Sequence, residues 1–244
     1  MLTIAALILA TSQTPPAAKP LNPLAPVIWI NPRGEIIVDG EVATPTIDPG
    51  VSKVKTPYGI GYDFNGSRSG IVFPDRQSFK ITGDMSISAW IYVRNYAPNG
   101  HESEVLFRGD DRDGWDPYNL LILNDGRLVF HVDDDKDHAD NASTTVPLNQ
   151  WTHVLVTLNT NLGEMSLYVD GTKMTASATK KHAFGDLDPK SVPGVGIGNV
   201  QDDHGFHNQP LNGILADLRL YPRLVSPTEA GFRYVPPTTG NSPN

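Results

Sequence analysis

Twelve acidic side chains crowd residues 102–140: Glu102, Glu104, Asp110, Asp111, Asp113, Asp116, Asp125, Asp133, Asp134, Asp135, Asp137 and Asp140. Only four bases, Arg108, Arg112, Arg127 and Lys136, lie among them, so this block carries the whole formal charge of −8 and the rest of the chain balances. Aspartate supplies 21 of the 27 acids. Short carboxylates in loops are the usual oxygen ligands of calcium, and a bound calcium ion is the first chemistry the pattern suggests. Solvated loops that keep the protein soluble are the plain alternative. Gly109-Asp110-Asp111-Arg112-Asp113-Gly114-Trp115-Asp116 has the Asp-x-Asp spacing and turn glycine of an oxygen cage, without the full EF-hand pattern or its closing Glu. Asp110, Asp111, Asp113, Asp133 and Asp135 are the candidate metal ligands here.

Trp115, beside carboxylates and near Tyr118, is placed to stack on the face of a sugar ring while Asp116 binds its hydroxyls directly or through calcium. Four of the seven histidines, His131, His138, His204 and His207, lie in or beside acidic loops. Trp115, Tyr118, Asp116, His138 and His204 form the candidate ligand-binding set. No His-Glu-x-x-His occurs and there is no cysteine, which argues against a zinc enzyme. The chain also lacks a Gly-x-Ser-x-Gly elbow, a phosphate loop and a dinucleotide fingerprint. Among six glutamates, Glu102-Ser103-Glu104 is the nearest approach to the paired carboxylates of a glycosidase, with same-face spacing on a strand. The acidic balance excludes nucleic acid as a partner, because phosphate binding needs a basic footprint.

These side chains need elements to hold them. Glycine and proline make 43 of 244 residues, which disfavours long helices. The apolar period is two: Met85, Ile87, Ala89, Ile91 and Val93 alternate with Ser86, Ser88, Trp90, Tyr92 and Arg94. Further strands are expected at 27–30, 35–38, 70–73, 104–108, 119–123, 127–132, 152–158, 165–169, 194–198 and 213–221, punctuated by turns at Asn124-Asp125-Gly126, Asn161-Leu162-Gly163 and Asp170-Gly171. That pattern implies an all-β fold, a two-sheet antiparallel sandwich or jelly roll. Ser226-Pro227-Thr228-Glu229 predicts a single helical turn. Trp90 and Trp151 are expected in the core between the sheets. Counting strand directions places the loops at 109–117 and 133–147, together with Asp170-Gly171, at one rim. Close acids there repel by on the order of 1 kcal/mol per pair, so calcium, Arg112 and Lys136, or a cationic partner should compensate.

Residues 1–12 read as a signal peptide cleaved after Ser12, although no Lys or Arg precedes the apolar run; 13–26 read as a Pro/Ala-rich linker, 27–235 as the folded domain and 236–244 as a disordered tail. The apolar run is too short for a membrane span. A secreted or cell-envelope protein, bacterial and monomeric, is the expectation, built without disulfides.

One ordered set of motifs goes further. Asp63-Phe64-Asn65-Gly66, Ile87-Ser88-Ala89-Trp90-Ile91, Asn124-Asp125-Gly126-Arg127-Leu128, Trp151-Thr152-His153-Val154, Tyr168-Val169-Asp170-Gly171 and the run from Asn212 to Tyr221 together resemble a laminin-G-like (LamG) domain of the concanavalin A-like lectin/glucanase superfamily. The resemblance spans about residues 62–235. It implies a concanavalin A-like jelly roll of two curved antiparallel sheets, usually a non-catalytic module that binds glycans or proteins, often with calcium. Where such domains commonly carry paired acids before the last strand, this chain has Ala216-Asp217. Asp217, among apolar neighbours, needs a partner, either N–H groups near Asn65-Gly66 or a structural cation, and joins the candidate metal ligands. Three functions stay open: a calcium-assisted carbohydrate-binding module for a polysaccharide or glycoconjugate, a protein-interaction or adhesion domain, and a divergent glycan hydrolase.

Overall fold

A computed structural model describes residues 24–98, 101–134, 139–202 and 208–233. The expected signal peptide, the tail at 236–244 and residues 13–23 of the linker lie outside these. Among the described residues the chain forms seventeen strands: β1 (Ile28–Ile30), β2 (Ile36–Val38), β3 (Glu41–Val42), β4 (Thr46–Ile47), β5 (Val51–Thr56), β6 (Gly59–Asn65), β7 (Ile71–Pro74), β8 (Met85–Asn95), β9 (Glu102–Gly109), β10 (Tyr118–Leu123), β11 (Arg127–Asp133), β12 (Ala139–Thr145), β13 (Trp151–Asn159), β14 (Glu164–Val169), β15 (Thr172–Ala178), β16 (Gly194–Ile197) and β17 (Asn212–Tyr221).

The strands make two antiparallel sheets. One has ten strands, in the order β15-β14-β13-β8-β17-β1-β2-β3, with β6 also on β17 and β5 on β6; the other has seven, β12-β11-β10-β9-β16-β7-β4. Alternation along the strands fills the space between them. Met85, Ile87, Ala89, Ile91 and Val93 face inward with Val154, Val156 and Leu158 and meet Leu120, Ile122, Leu128, Phe130 and Val132 of the opposite sheet. Each large side chain buried this way contributes roughly 1.5–3 kcal/mol. Asp170 and Gly171 both take positive φ, 45° and 77°, the geometry of a tight two-residue hairpin.

Three expectations change. Ser226 accepts from the Ala230 N–H and its hydroxyl from that of Glu229, but these bonds form an isolated turn that stops at Gly231 with φ 95°; the described helix is a 3-10 turn at Gln77–Phe79. Trp90 and Trp151 point away from the core. They share the parity of Tyr92, on the outer face of the ten-stranded sheet, where Tyr58 stacks on Trp90 at 3.5 Å. Finally, β12 occupies Ala139–Thr145 of what reads as a loop at 133–147. Its sequence, Ala139-Asp140-Asn141-Ala142-Ser143-Thr144-Thr145, forms an edge strand without large apolar residues. The extra strand inverts the directions of β13 and β14: Asp170 accepts from the His153 backbone at the start of β13, so Asp170-Gly171 lies at the end opposite the acid-rich rim.

Candidate functional site

β9 runs the length of the seven-stranded sheet and turns Glu102, Glu104, Phe107 and Gly109 to its outer face. The cross-strand partners confirm the parity: Glu102 stands opposite Leu123, Glu104 opposite Leu121, and Phe107 opposite Asn119 on one side and Gly196 on the other. A register shift between Leu120 and Leu121 keeps the acids and Phe107 on the same face. Asn119 continues the row to His131, whose Nδ1 lies 3.1 Å from the Asn141 side-chain oxygen.

Glycines decide what can lie on this face. A Cβ at Gly196 would collide with the backbone of Asn199 and Val200, so the chain after β16 folds directly onto the sheet. Gly194 admits Gln201, and Gly109 admits the Asp116 carboxylate, 2.6 Å from where a Cβ would stand. The result is a ring of polar side chains around the buried Phe107: Gln201, Asp116, Asn119 and Glu104.

Several of these groups are stripped of water without full compensation. Glu104 is 1% exposed, and its Oε2 has no hydrogen-bond partner; the same holds for Asn119 Oδ1 and Gln201 Oε1, in residues each 5% exposed. Burial, then the charges of Glu102 and Asp116, pushes the Glu104 carboxyl well above the usual range. The half-buried Asp116 is pushed up to about 7, first by burial and then by Asp133, Asp110, Asp113 and Glu102. That list also shows which expected residues the fold brings together: Asp110, Asp113, Asp116 and Asp133 share one rim.

At that rim the expected repulsion is met by arginine and lysine. Asp110 accepts from the Arg112 backbone and guanidinium, with the shortest contact 2.6 Å, and from the Asp188 N–H at 3.0 Å. Lys181 holds Asp134 at 2.6 Å. Arg112 also lies 3.7 Å over the half-buried Trp115 ring, and Phe184 meets that ring edge-on. One face of Trp115 is therefore taken by a side chain of its own loop.

Two expected site residues stand elsewhere. Tyr118 opens β10 with the parity of Leu120 and Ile122, faces the core with no exposure, and donates its hydroxyl to the Phe79 carbonyl at 2.8 Å. It cannot touch a ligand on the outer face. Asp217 sits at a bulge in β17, in the other sheet, with φ 48°. Its carboxylate accepts from Arg219 at 2.8 Å through both oxygens and from the Trp29 indole at 2.7 Å, which supplies the partner that neither the Asn65-Gly66 loop nor a cation provides. Asp111 accepts from Gln201 at 3.0 Å. Asp135, His138 and His204 lie outside the described residues, as does Lys136. Among the described residues no three His, Asp or Glu side chains are grouped to hold a metal ion, and of the expected calcium donors Asp110 and Asp217 are each paired with an arginine.

At the far end of β9 the strip opens into a cleft of about 280 Å³ lined by Asn95, Tyr96, His101, Glu102, Asn208 and Asn212, among others. Gln209 donates to Glu102 at 2.8 Å, and Arg94 to Asn212 at 2.9 Å, which orients both side chains toward their positions in the wall. Sequence reasoning reached Glu102 and Glu104 through their spacing. It missed Asn119 and Gln201, for which the only signal is the Gly194-x-Gly196 pair that lets a second layer of chain settle on the sheet.

A laminin G family model, described as the concanavalin A-like lectin/glucanases superfamily, matches residues 65–231. No curated protein matches the chain. Among solved structures, it is similar to the binding domain of Paraclostridial Mosquitocidal Protein 1 (17% identity, TM-score 0.62, 84% of this chain and 51% of that one). It is also similar to the botulinum neurotoxin serotype G binding domain (14%, 0.63, 84% and 49%). A third is the binding domain of botulinum neurotoxin DC, solved in complex with SialylT (13%, 0.61, 84% and 50%). The chain spans about half the length of these structures, and at such identities the likeness is one of fold. No helix among the described residues is long and apolar enough to cross a membrane.

Proposed function

The chain belongs to the concanavalin A-like lectin/glucanase superfamily, and from that premise we propose that it is a non-catalytic carbohydrate-binding module, with the end of the glycan seated in the cleft at Glu102. One observation carries the reading: a concave wall of amides, a carboxylate, an imidazole and the Tyr96 ring adjoins the strip, and convergent polar groups beside an aromatic surface are what recognise sugar hydroxyls and ring faces. The cleft is at the small end of ligand pockets, which run about 300–1,000 Å³, a size suited to a terminal sugar unit.

Hydrolysis is not part of the proposal. Glu102 is held by Gln209, and Glu104 is sealed beneath the polypeptide, so neither stands free beside a water-accessible bond. Calcium assistance is tested separately, by a chelator arm.

The experiment is a thermal melt of the full chain against a panel of oligosaccharides, each with calcium and with chelator, followed by calorimetry. A bound glycan at a hundred times its Kd adds about 2.7 kcal/mol of stability. Glu102→Gln should weaken binding about tenfold. Trp115→Ala should matter less, because its exposed face lies at the rim beyond Asp116. No shift with any glycan overturns the reading; a partner protein released by rising salt would put the adhesion reading in its place.

A further inference from the structure

Resting on the carbohydrate reading, we propose that the cleft at Glu102 recognises an acetamido group, so that this module selects N-acetylated amino sugars over the parent hexoses and over the free-amine sugars.

The polarity of the cleft wall is set by groups behind it. Asn199 is fully buried, and its Oδ1 accepts the backbone N–H groups of Val200 at 2.9 Å and Gln209 at 2.8 Å. Those two donors fix its amide, leaving Nδ2 to donate to Asn208 Oδ1 at 2.9 Å. Asn208 is fixed in turn: its oxygen is engaged by Asn199, and what it has left for the cleft it lines is N–H. Asn212 is set by a different neighbour. The Arg94 guanidinium can only donate, and it takes Asn212 Oδ1 at 2.9 Å while another of its nitrogens holds Asp63 and the Phe64 carbonyl, each at 2.6 Å. Gly66 makes room for this arrangement, since a Cβ there would stand 2.6 Å from that of Asn212. The second asparagine therefore also offers N–H to the cleft.

The rest of the wall is of two other kinds. Glu102 only accepts when ionised, and Gln209 occupies its Oε1 at 2.8 Å, which leaves Oε2 for a donor from outside. Tyr96 has given its hydroxyl to the Val146 carbonyl at 2.6 Å, so its ring, with Ala97 and Pro98, forms an apolar patch. Two N–H donors, a carboxylate and an apolar patch are the complement of a secondary amide that ends in a methyl group. Its carbonyl takes the asparagine hydrogens, its N–H goes to Glu102, and its methyl covers the patch. An ammonium would meet the two N–H donors with the wrong sign, and an anionic substituent would meet Glu102. A hydroxyl supplies one oxygen for both tasks and leaves the patch wet.

Calorimetry on the full chain provides the test, using the methyl glycosides of N-acetylglucosamine and N-acetylgalactosamine, each beside its parent hexose and its free-amine form. The better-bound acetylated sugar should bind at least tenfold more tightly than either of its counterparts, because a site built around an amide leaves polar groups unpaired when the amide is missing. Asn208→Asp and Asn212→Asp, combined in one chain, keep the bonds from Asn199 and Arg94 but replace both donors by acceptors; the preference should fall below threefold in protein whose melt remains cooperative. An acetylated sugar bound no better than its hexose by the wild-type chain overturns the amide proposal and leaves the carbohydrate reading intact, and this comparison decides even if the double variant fails to fold. Full preference retained by the folded double variant overturns it too, as does binding of none of these six sugars when another member of the oligosaccharide panel binds. If the whole panel is silent as well, both readings fall.

Discussion

The outer faces of the two sheets begin from the same alternation and end differently. On the ten-stranded sheet, the residues that point away from the core are covered by the chain after β17. Tyr221, Val225 and Ala230 pack with Leu155 into a second small core. Phe232 and Tyr58 stack on Trp90, and His153 meets it edge-on. The cover's backbone is largely satisfied: Ser88 donates to the Ala230 carbonyl, and Ser86 both donates to Arg223 and accepts from Val225. Burial pushes His153 down to about 4, so it sits there as a neutral ring. On the seven-stranded sheet the cover is the chain after β16, laid on glycines, and beneath it carboxyl and amide oxygens lack donors. Covering a sheet with aromatic rings makes a mainly apolar layer, in which His153 Nδ1 and Arg223 Nε are the atoms left without a partner. Covering it with backbone over polar side chains leaves acceptor oxygens, of Glu104, Asn119 and Gln201, in that position instead.

The sharpest way to break this contrast is Trp90→Ala. If the aromatic face is a true second core, the loss is about 3–5 kcal/mol by chemical denaturation, with glycan affinity of the folded protein unchanged. A cost below 1 kcal/mol would make the aromatic layer mere decoration.

Glu104→Leu probes the other face and carries the opposite sign. Removing a carboxyl that is buried with one oxygen unpartnered should leave stability unchanged or raise it by about 1–3 kcal/mol, read by chemical denaturation. Substantial destabilisation would mean that the Glu104 carboxyl helps to hold the sheet and its cover together.

Asp116 sharpens the comparison by pH. Its folded-state pKa, about 7, lies above the unfolded value of about 3.8, so the folded chain binds the extra proton between them. Stability attributable to this group is full below about pH 4 and is lost as pH rises through 7. Asp116→Asn should therefore stabilise the protein at pH 8 by about 1–2 kcal/mol and make little difference at pH 4, read from thermal melts across that range. A variant equally stable at both ends would place Asp116 in solvent.

The alternation of Met85 to Val93, and the hairpins at Asp125-Gly126 and Asp170-Gly171, could be read from residues alone, because period and turn chemistry are local. The direction of strands after β11 could not. An edge strand that buries little, with Ala142 reaching the core, carries no apolar signature, and one missed strand sends Asp170 to the wrong end. Tyr118 shows the converse: its parity with Leu120 and Ile122 already places it inward, and nearness in sequence to Trp115 outweighs that only until the strand is seen. The acid-rich rim was visible as composition, and Arg112, two residues from Asp110, as one of its counter-charges, whereas the pairing of Lys181 with Asp134 across 47 positions is encoded in no local pattern. The ring around Phe107 draws on β9, β10 and the segments before β10 and after β16, so its members are far apart in sequence and ordinary in type.

β17 lies between β8 and β1 and also carries β6, and it is the only strand that joins these three. Every one of its partners precedes it along the chain by well over a hundred residues, as in the bond from Trp29 to Asp217 across 188 positions. During synthesis, β1, the β5–β6 hairpin and β8 must wait as separate pieces with open edges until residues 212–221 emerge. Long-range pairing of this kind is slow and exposes edges that invite association. The ten-stranded sheet is thus assembled in one late step by its central strand, and a chain interrupted before Asn212 would hold every other part of that sheet with nothing to join them.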